Sequence, residues 1–153
     1  VYGVPVRHQS DAVVVNAYPT ELDFWQASKA LFSGARILKP GGRLLLLAPC
    51  PEGIGPHPQL SAYLRLPYQG LRAEVTWGTP ADPISAGGAL QIATLLQHCR
   101  ASIYSPGLDP ELVHALGFEP VNDLPSAIAG LGGARHVALI THGGETCPYL
   151  EEG

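Results

Sequence analysis

Three short runs decide what this chain can fold into. DAVVVN (11–16), RLLLLA (43–48) and HVALIT (136–141) are apolar almost throughout, and each is the length of a strand. A strand with one wet face alternates apolar and polar residues, whereas one buried on both faces reads as a continuous apolar run. Segments of helical period lie between the runs. Such strands alternating with helices predict an α/β domain: a three-layer, mostly parallel, Rossmann-like sheet with helices on both faces. Functional groups in these sheets gather at the carboxyl ends of the strands. Three loops fall there: Asn16-Ala17-Tyr18-Pro19, Pro49 to Pro56, and Thr141 to Cys147.

The remaining elements follow from period and punctuation. Thr20-Glu21-Leu22-Asp23 reads as a variant capping box, opening a helix from about Glu21 to Ile37 that Pro40-Gly41-Gly42 stops. Residues 57–82 are ambiguous, with a short helix near 60–66 followed by irregular chain. A helix over 84–99, a strand over 101–105 and a helix over 110–116 come next. A turn at 117–121 leads into a short strand, Asp123 caps a further helix, and 136–141 is the last strand.

Composition excludes several classes of function. The 153 residues suit a single domain, 1–153, and 46% hydrophobic against 14% charged residues implies a lightly charged surface meant to be covered. With 9 Lys+Arg spread thinly and a net charge of -4, no basic stripe awaits nucleic acid. No apolar run approaches the roughly 18 residues that span a membrane, and no signal-peptide pattern opens the chain. Cys50, Cys99 and Cys147 are odd in number and widely spaced, which argues against a disulfide framework and for a cytoplasmic setting. The lack of any Met, even at position 1, predicts that the chain is a piece of a longer one.

The first helix carries the main site candidates. Phe24, Ala27, Leu31, Ala35 and Leu38 fall on one stripe at 100° per residue, which packs on the sheet. Gln26, Lys29, Ser33 and Arg36 lie roughly opposite, with Trp25 on the flank. Gln26 and Lys29, at i and i+3, reach a common target, and an ammonium beside a neutral amide suits an anionic ligand. Spacing alone reads more simply as an ordinary solvent face, since both residues are common helix formers. Glu52 and His142 stand in two of the loops. Cys50 with His57, or His142 with Cys147, makes no recognised zinc spacing, so no metal ligands are assigned.

The run NAYPTELDFWQASKAL…LKPGGRLLLLAPCPEG resembles the carboxyl-terminal domain of the nickel-pincer lactate racemase family. The shared features are a turn ending in Tyr-Pro, a helix with a Tyr/Trp-Gln-Ala-x-Lys-Ala core, a Lys-Pro-Gly-Gly turn, a hydrophobic strand and a Glu-Gly loop. The match is dense over 11–55 and thinner beyond, where HVALITHGGETCP is similar to the closing strand and Gly-rich tail. The resemblance implies racemisation of a 2-hydroxy acid by hydride removal and return at the α-carbon. It implies Gln26 and Lys29 as substrate-binding residues; Tyr18, Trp25, Glu52 and His142 stand beside them as possible cleft-lining residues.

On this reading the chain is the C-terminal half of a two-domain enzyme and is not catalytic alone. The catalytic residues and the nickel-pincer nucleotide belong to an N-terminal domain of the same polypeptide, and this domain alone holds no cofactor. Departures from the family's pattern concern the substrate: the turn is short, Trp25 replaces a Tyr, and Gly87-Gly88 stands where an aromatic is expected. Another 2-hydroxy acid or a sugar acid fits as well as lactate. Two alternatives stay open. ARILKPGGRLLLL with ALGFEPV also resembles part of an S-adenosylmethionine methyltransferase, although its Gly-x-Gly turn is missing; and the fold could serve as a non-catalytic binding domain.

Overall fold

The computed structural model describes residues 2–151. Five parallel strands form the central sheet: β2 (Ser10–Asn16), β3 (Leu38–Leu47), β4 (Arg100–Tyr104), β5 (Glu119–Val121) and β6 (Val137–Ile140), in the order β5-β4-β3-β2-β6. The chain steps outward from β2 to β5 and then returns to the other side of β2. Right-handed crossovers therefore place helices on both faces, as the apolar runs require.

The first face is thick. α1 (Phe24–Ala35) packs on β2 and β3, and α4 (Pro83–Leu96) lies beside it. Their apolar sides meet Val13, Val15, Leu44, Leu46 and Ile103 in one continuous core. α5 (Pro110–Ala115) completes the layer, and Phe24 meets Phe118 edge to face at 5.8 Å. The second face is thin. It carries α6 (Leu124–Gly130), which has no buried residue and is tied to β3 by a bond from the Arg43 guanidinium to the Gly130 carbonyl. Val137 and Leu139, on the outermost strand, stay 52% and 66% exposed there. The continuous apolar reading of β6 thus overstated its burial.

Other departures have local causes. The helix opens at Phe24 rather than Glu21, because Asp23, not Thr20, caps it: the Asp23 carboxylate accepts the Gln26 N–H at 2.8 Å. Thr20 donates its hydroxyl to the Ala17 carbonyl instead, and Glu21 Oε2 is buried without a partner. The helix closes at Ala35 with Arg36 as its C-cap, short of the expected Ile37, and Lys39-Pro40-Gly41-Gly42 lies inside β3. The pairing slips there, from Ser10 against Leu38 to Ala12 against Arg43, so the Pro-Gly segment forms a bulge. Residues 59–77 hold two helices, α2 (Gln59–Leu64) and α3 (Tyr68–Trp77), where irregular chain was expected for the second. α3 buries Leu71 alone, which leaves almost no periodic signal to read.

A two-stranded parallel ribbon was missed altogether. β1 (Tyr2–Val6) pairs with β7 (Thr146–Leu150), making β7 and not β6 the last strand. Both carry proline, β1 is mostly exposed and β7 buries Pro148 alone, so neither shows a burial pattern to read. β7 explains half of the polar stripe on α1. Ser33 donates to the Gly143 and Thr146 carbonyls, both at 2.8 Å, and Arg36 Nε donates to the Pro148 carbonyl at 2.9 Å. These two side chains fasten the carboxyl-terminal segment; Gln26 and Lys29 have no such duty.

One exposed contact clamps the opposite end of the sheet. Asp11 accepts Lys39 Nζ at 2.6 Å and the backbone N–H groups of Arg135 and His136 at 3.0 Å. The Lys39 hydrogen bond foremost, with the His136 amide, lowers its carboxyl from 3.8 to about 2. A folded-state value below the unfolded one stabilises above the unfolded value, and this contribution is lost as pH falls from about 4 to about 2. Urea midpoints for the wild type should fall across that window more steeply than for Asp11→Asn. Parallel curves for the two proteins would show that the contact is energetically silent.

Candidate functional site

The loops after β2 and β6 meet at the point where strand order reverses, the usual place for a ligand crevice. Here it is filled by main chain. The Gly143 N–H donates to the Asn16 carbonyl at 2.8 Å, and the Gly144 N–H to the Tyr18 carbonyl at 3.2 Å. A Cβ on Gly143 would stand 2.4 Å from Val15 Cγ2 and 2.8 Å from Ala30 Cβ, so only glycine permits this approach. The Tyr18 and His142 rings meet edge to face at 5.1 Å on the rim of this junction, and Thr141 Oγ1 lies 3.0 Å from His142 Nδ1.

The opening lies one helix away. The first two turns of α1, just beyond the carboxyl end of β2, carry Trp25, Gln26 and Lys29. Trp25, Lys29 and Phe32 form one wall of a cleft of about 380 Å³, and the start of α4, with Ile84, Gly87 and Gly88, forms the other. Lys29 Nζ donates to Gln26 Oε1 at 2.5 Å. Among the described residues the single ion pair joins Lys39 to Asp11, so Lys29 has no carboxylate partner. An exposed ammonium bonded to a neutral amide has spare donors for a ligand.

Trp25 is held from both sides. Its ring lies 4.1 Å, centroid to centroid, from that of His57, and its edge passes over Gly88, where a Cβ would sit 2.6 Å from the ring. Gly88 is therefore a packing glycine, since any side chain would push Trp25 away. The loop of 49–58 closes this corner through hydrogen bonds from the Phe24 and Trp25 amides to the Gly53 and Ile54 carbonyls. At the start of α4, Asp82 caps the helix by accepting the Ile84 and Ser85 amides, both at 3.1 Å. The Ser85 hydroxyl, with those amides, lowers the Asp82 carboxyl, and His57 contributes to the same shift.

The sequence candidates thus separate into two groups. Trp25 and Lys29 line the cleft and Gln26 is bonded to Lys29. Tyr18 and His142 pair at the strand junction, and Glu52 is exposed on its loop, outside the cleft lining. Sequence reasoning missed His57 and Gly88 as partners of Trp25. A proline-flanked histidine and a helix-interior glycine each have a blander explanation when read alone. Cys50 and His57 do not act together: Cys50 is wholly buried, and burial pushes its thiol up to about 11, far from the thiolate a metal binds. Among the described residues no three His, Cys, Asp or Glu side chains assemble into a metal site. No helix among the described residues is long and apolar enough to cross a membrane.

The strand order and the helices on both faces define a doubly wound α/β domain. Among solved structures the chain is similar to the lactate racemase apoprotein from Thermoanaerobacterium thermosaccharolyticum, with a TM-score of 0.81 and 18% identity, over 99% of this chain and 38% of that one. It is also similar to a structural-genomics protein from Thermotoga maritima, with a TM-score of 0.64 and 10% identity, over 99% of this chain and 39% of that one. No family model matches the sequence, and no curated protein does. The chain spans about two fifths of the length of both structures, and at these identities the likeness establishes a common fold. The fold implied by the Tyr-Pro turn and the Gln-Ala-x-Lys helix is the one found.

Proposed function

We propose that this chain is the substrate-binding part of a 2-hydroxy acid racemase or epimerase and is not catalytic by itself. The observation that carries the reading is Lys29, a cation without a carboxylate partner, held to Gln26 at the mouth of a partly apolar cleft. It stands on a fold shared with lactate racemase. Lys29 takes the substrate carboxylate, and Gln26 gives direction by orienting Lys29 and the neighbouring hydroxyl. Trp25 fixes the cleft wall. Tyr18 and His142, at the carboxyl ends of the strands, and Glu52 on its exposed loop face a partner domain of the same polypeptide.

That partner domain holds the nickel-pincer nucleotide, which supplies the hydride acceptor when bound. The residues of this chain hold the acid so that its α-carbon is presented outward, away from α1. Closure of the β2–β6 crevice by Gly143 and Gly144 weighs against a methyltransferase, whose adenosyl group needs that space. Amide chemical-shift mapping of the chain tests the proposal. Titration with small 2-hydroxy acids should move Trp25, Gln26, Lys29 and Gly87 first. Shifts at 16–20 and 141–145 on adding S-adenosylmethionine, with none on adding acids, would favour the methyltransferase. Shifts with neither ligand would leave a binding domain of the same fold.

A further inference from the structure

The cleft also says what kind of acid it holds, if the carboxylate sits at Lys29 as proposed above. Gly87 and Gly88 are both interior to α4, where each glycine costs about 1 kcal/mol relative to alanine. Gly88 is explained by the Trp25 ring that lies over it. Gly87 is not explained by packing: a Cβ there would meet nothing within 4 Å. The space above it opens into the cleft beside Lys29. Trp25, Phe32 and Ile84 wall that space, and Ile84 is 61% exposed although apolar. Ser28 contributes no free polar group, because its hydroxyl is already bonded to the Trp25 carbonyl at 2.8 Å, and the exposed Gln91 amide, one turn beyond Gly87, is the one polar side chain besides Lys29 left on the walls.

A lone cation at the mouth and walls that are hydrocarbon but for the Gln91 amide suit an anion with an apolar tail. Hydroxylated tails suit them poorly, since their hydroxyls would lose water and find few partners. We infer that the cleft between α1 and α4 selects 2-hydroxy acids with a branched aliphatic substituent, and that Gly87 determines this specificity by leaving the room. Sugar acids and lactate bind less well, the first because the tail is polar and the second because it leaves the cleft unfilled.

Fluorescence of Trp25 reads the result directly, in a Trp77→Phe background that removes the exposed second indole. The probes are lactate, 2-hydroxy-4-methylpentanoate and gluconate, titrated into the intact chain. Three more buried carbons should tighten binding of 2-hydroxy-4-methylpentanoate about tenfold over lactate, allowing for a half-open cleft. Gly87→Leu fills the space with its own side chain, is favourable in a helix, and should bring that ratio to about one by removing the room for the branched tail. Lys29→Ala should weaken both acids together.

Equal affinity for the two acids in the wild type, or a preference that survives Gly87→Leu, overturns the specificity inference. If binding still depends on Lys29 in that case, the substrate-binding reading stands without it. Lys29→Ala with undiminished affinity for both acids removes the carboxylate site, and the specificity inference falls with it. Absence of any response in the wild type overturns both. Tighter binding of gluconate than of 2-hydroxy-4-methylpentanoate contradicts the apolar cleft alone.

Discussion

Phe24→Ala should destabilise the domain by about 3–5 kcal/mol, the range for truncating a fully buried aromatic. Phe24 is the first residue of α1, is wholly buried, and meets Phe118 across the core at 5.8 Å. Truncation removes its transfer free energy and the edge-to-face contact, and it leaves a cavity that cannot easily collapse. The neighbours on α1, β2 and β3 are held by helix and sheet hydrogen bonds and move little. The loss should appear as a lower denaturant midpoint at an unchanged slope. Phe24 also begins the turn that carries Trp25, Gln26 and Lys29, so weaker anchoring there reaches the site. A loss under 1 kcal/mol would mean that α1 is not seated on the sheet as described.

Lys29→Ala is expected to have the largest effect on function. On the proposed reading a partner domain covers this half-open cleft, and in a covered site a charged donor aimed at a substrate oxygen contributes far more than it does in bulk solvent. Removing such a donor lowers turnover efficiency by about a hundredfold or more in comparable sites. Stability should be nearly unchanged, because Lys29 is exposed and its one side-chain partner is Gln26. Gln26→Ala should cost less, since the amide directs a charge that would still be present. This split between function and stability is what separates a ligand-binding lysine from a structural one.

The layers were legible because burial leaves a mark on sequence. Runs such as VVV in β2 and LLLL in β3 have few structural options, and the helix stripe from Phe24 to Leu31 names its own buried face. The ribbon of β1 and β7 left no such mark, since backbone pairing at the surface asks little of side chains. α3, with one buried leucine, hid for the same reason. The site was legible in part. Spacing put Gln26 and Lys29 on one face, but it could not separate them from Ser33 and Arg36. That division depends on β7, more than 100 residues away in the chain. The stack of His57, Trp25 and Gly88 joins three segments that no local pattern links.

The central claim is that Lys29 holds the substrate of a racemase or epimerase. Optical rotation tests it most directly, followed over time for D- and L-2-hydroxy acids with a polypeptide that joins this chain to the proposed cofactor-bearing domain, loaded with the nickel-pincer nucleotide. The account predicts loss of rotation for at least one acid in the wild type, and a rate reduced about a hundredfold in Lys29→Ala with the fold intact. Racemisation at the wild-type rate in Lys29→Ala, or none on any acid by a protein shown to hold its cofactor, would contradict it.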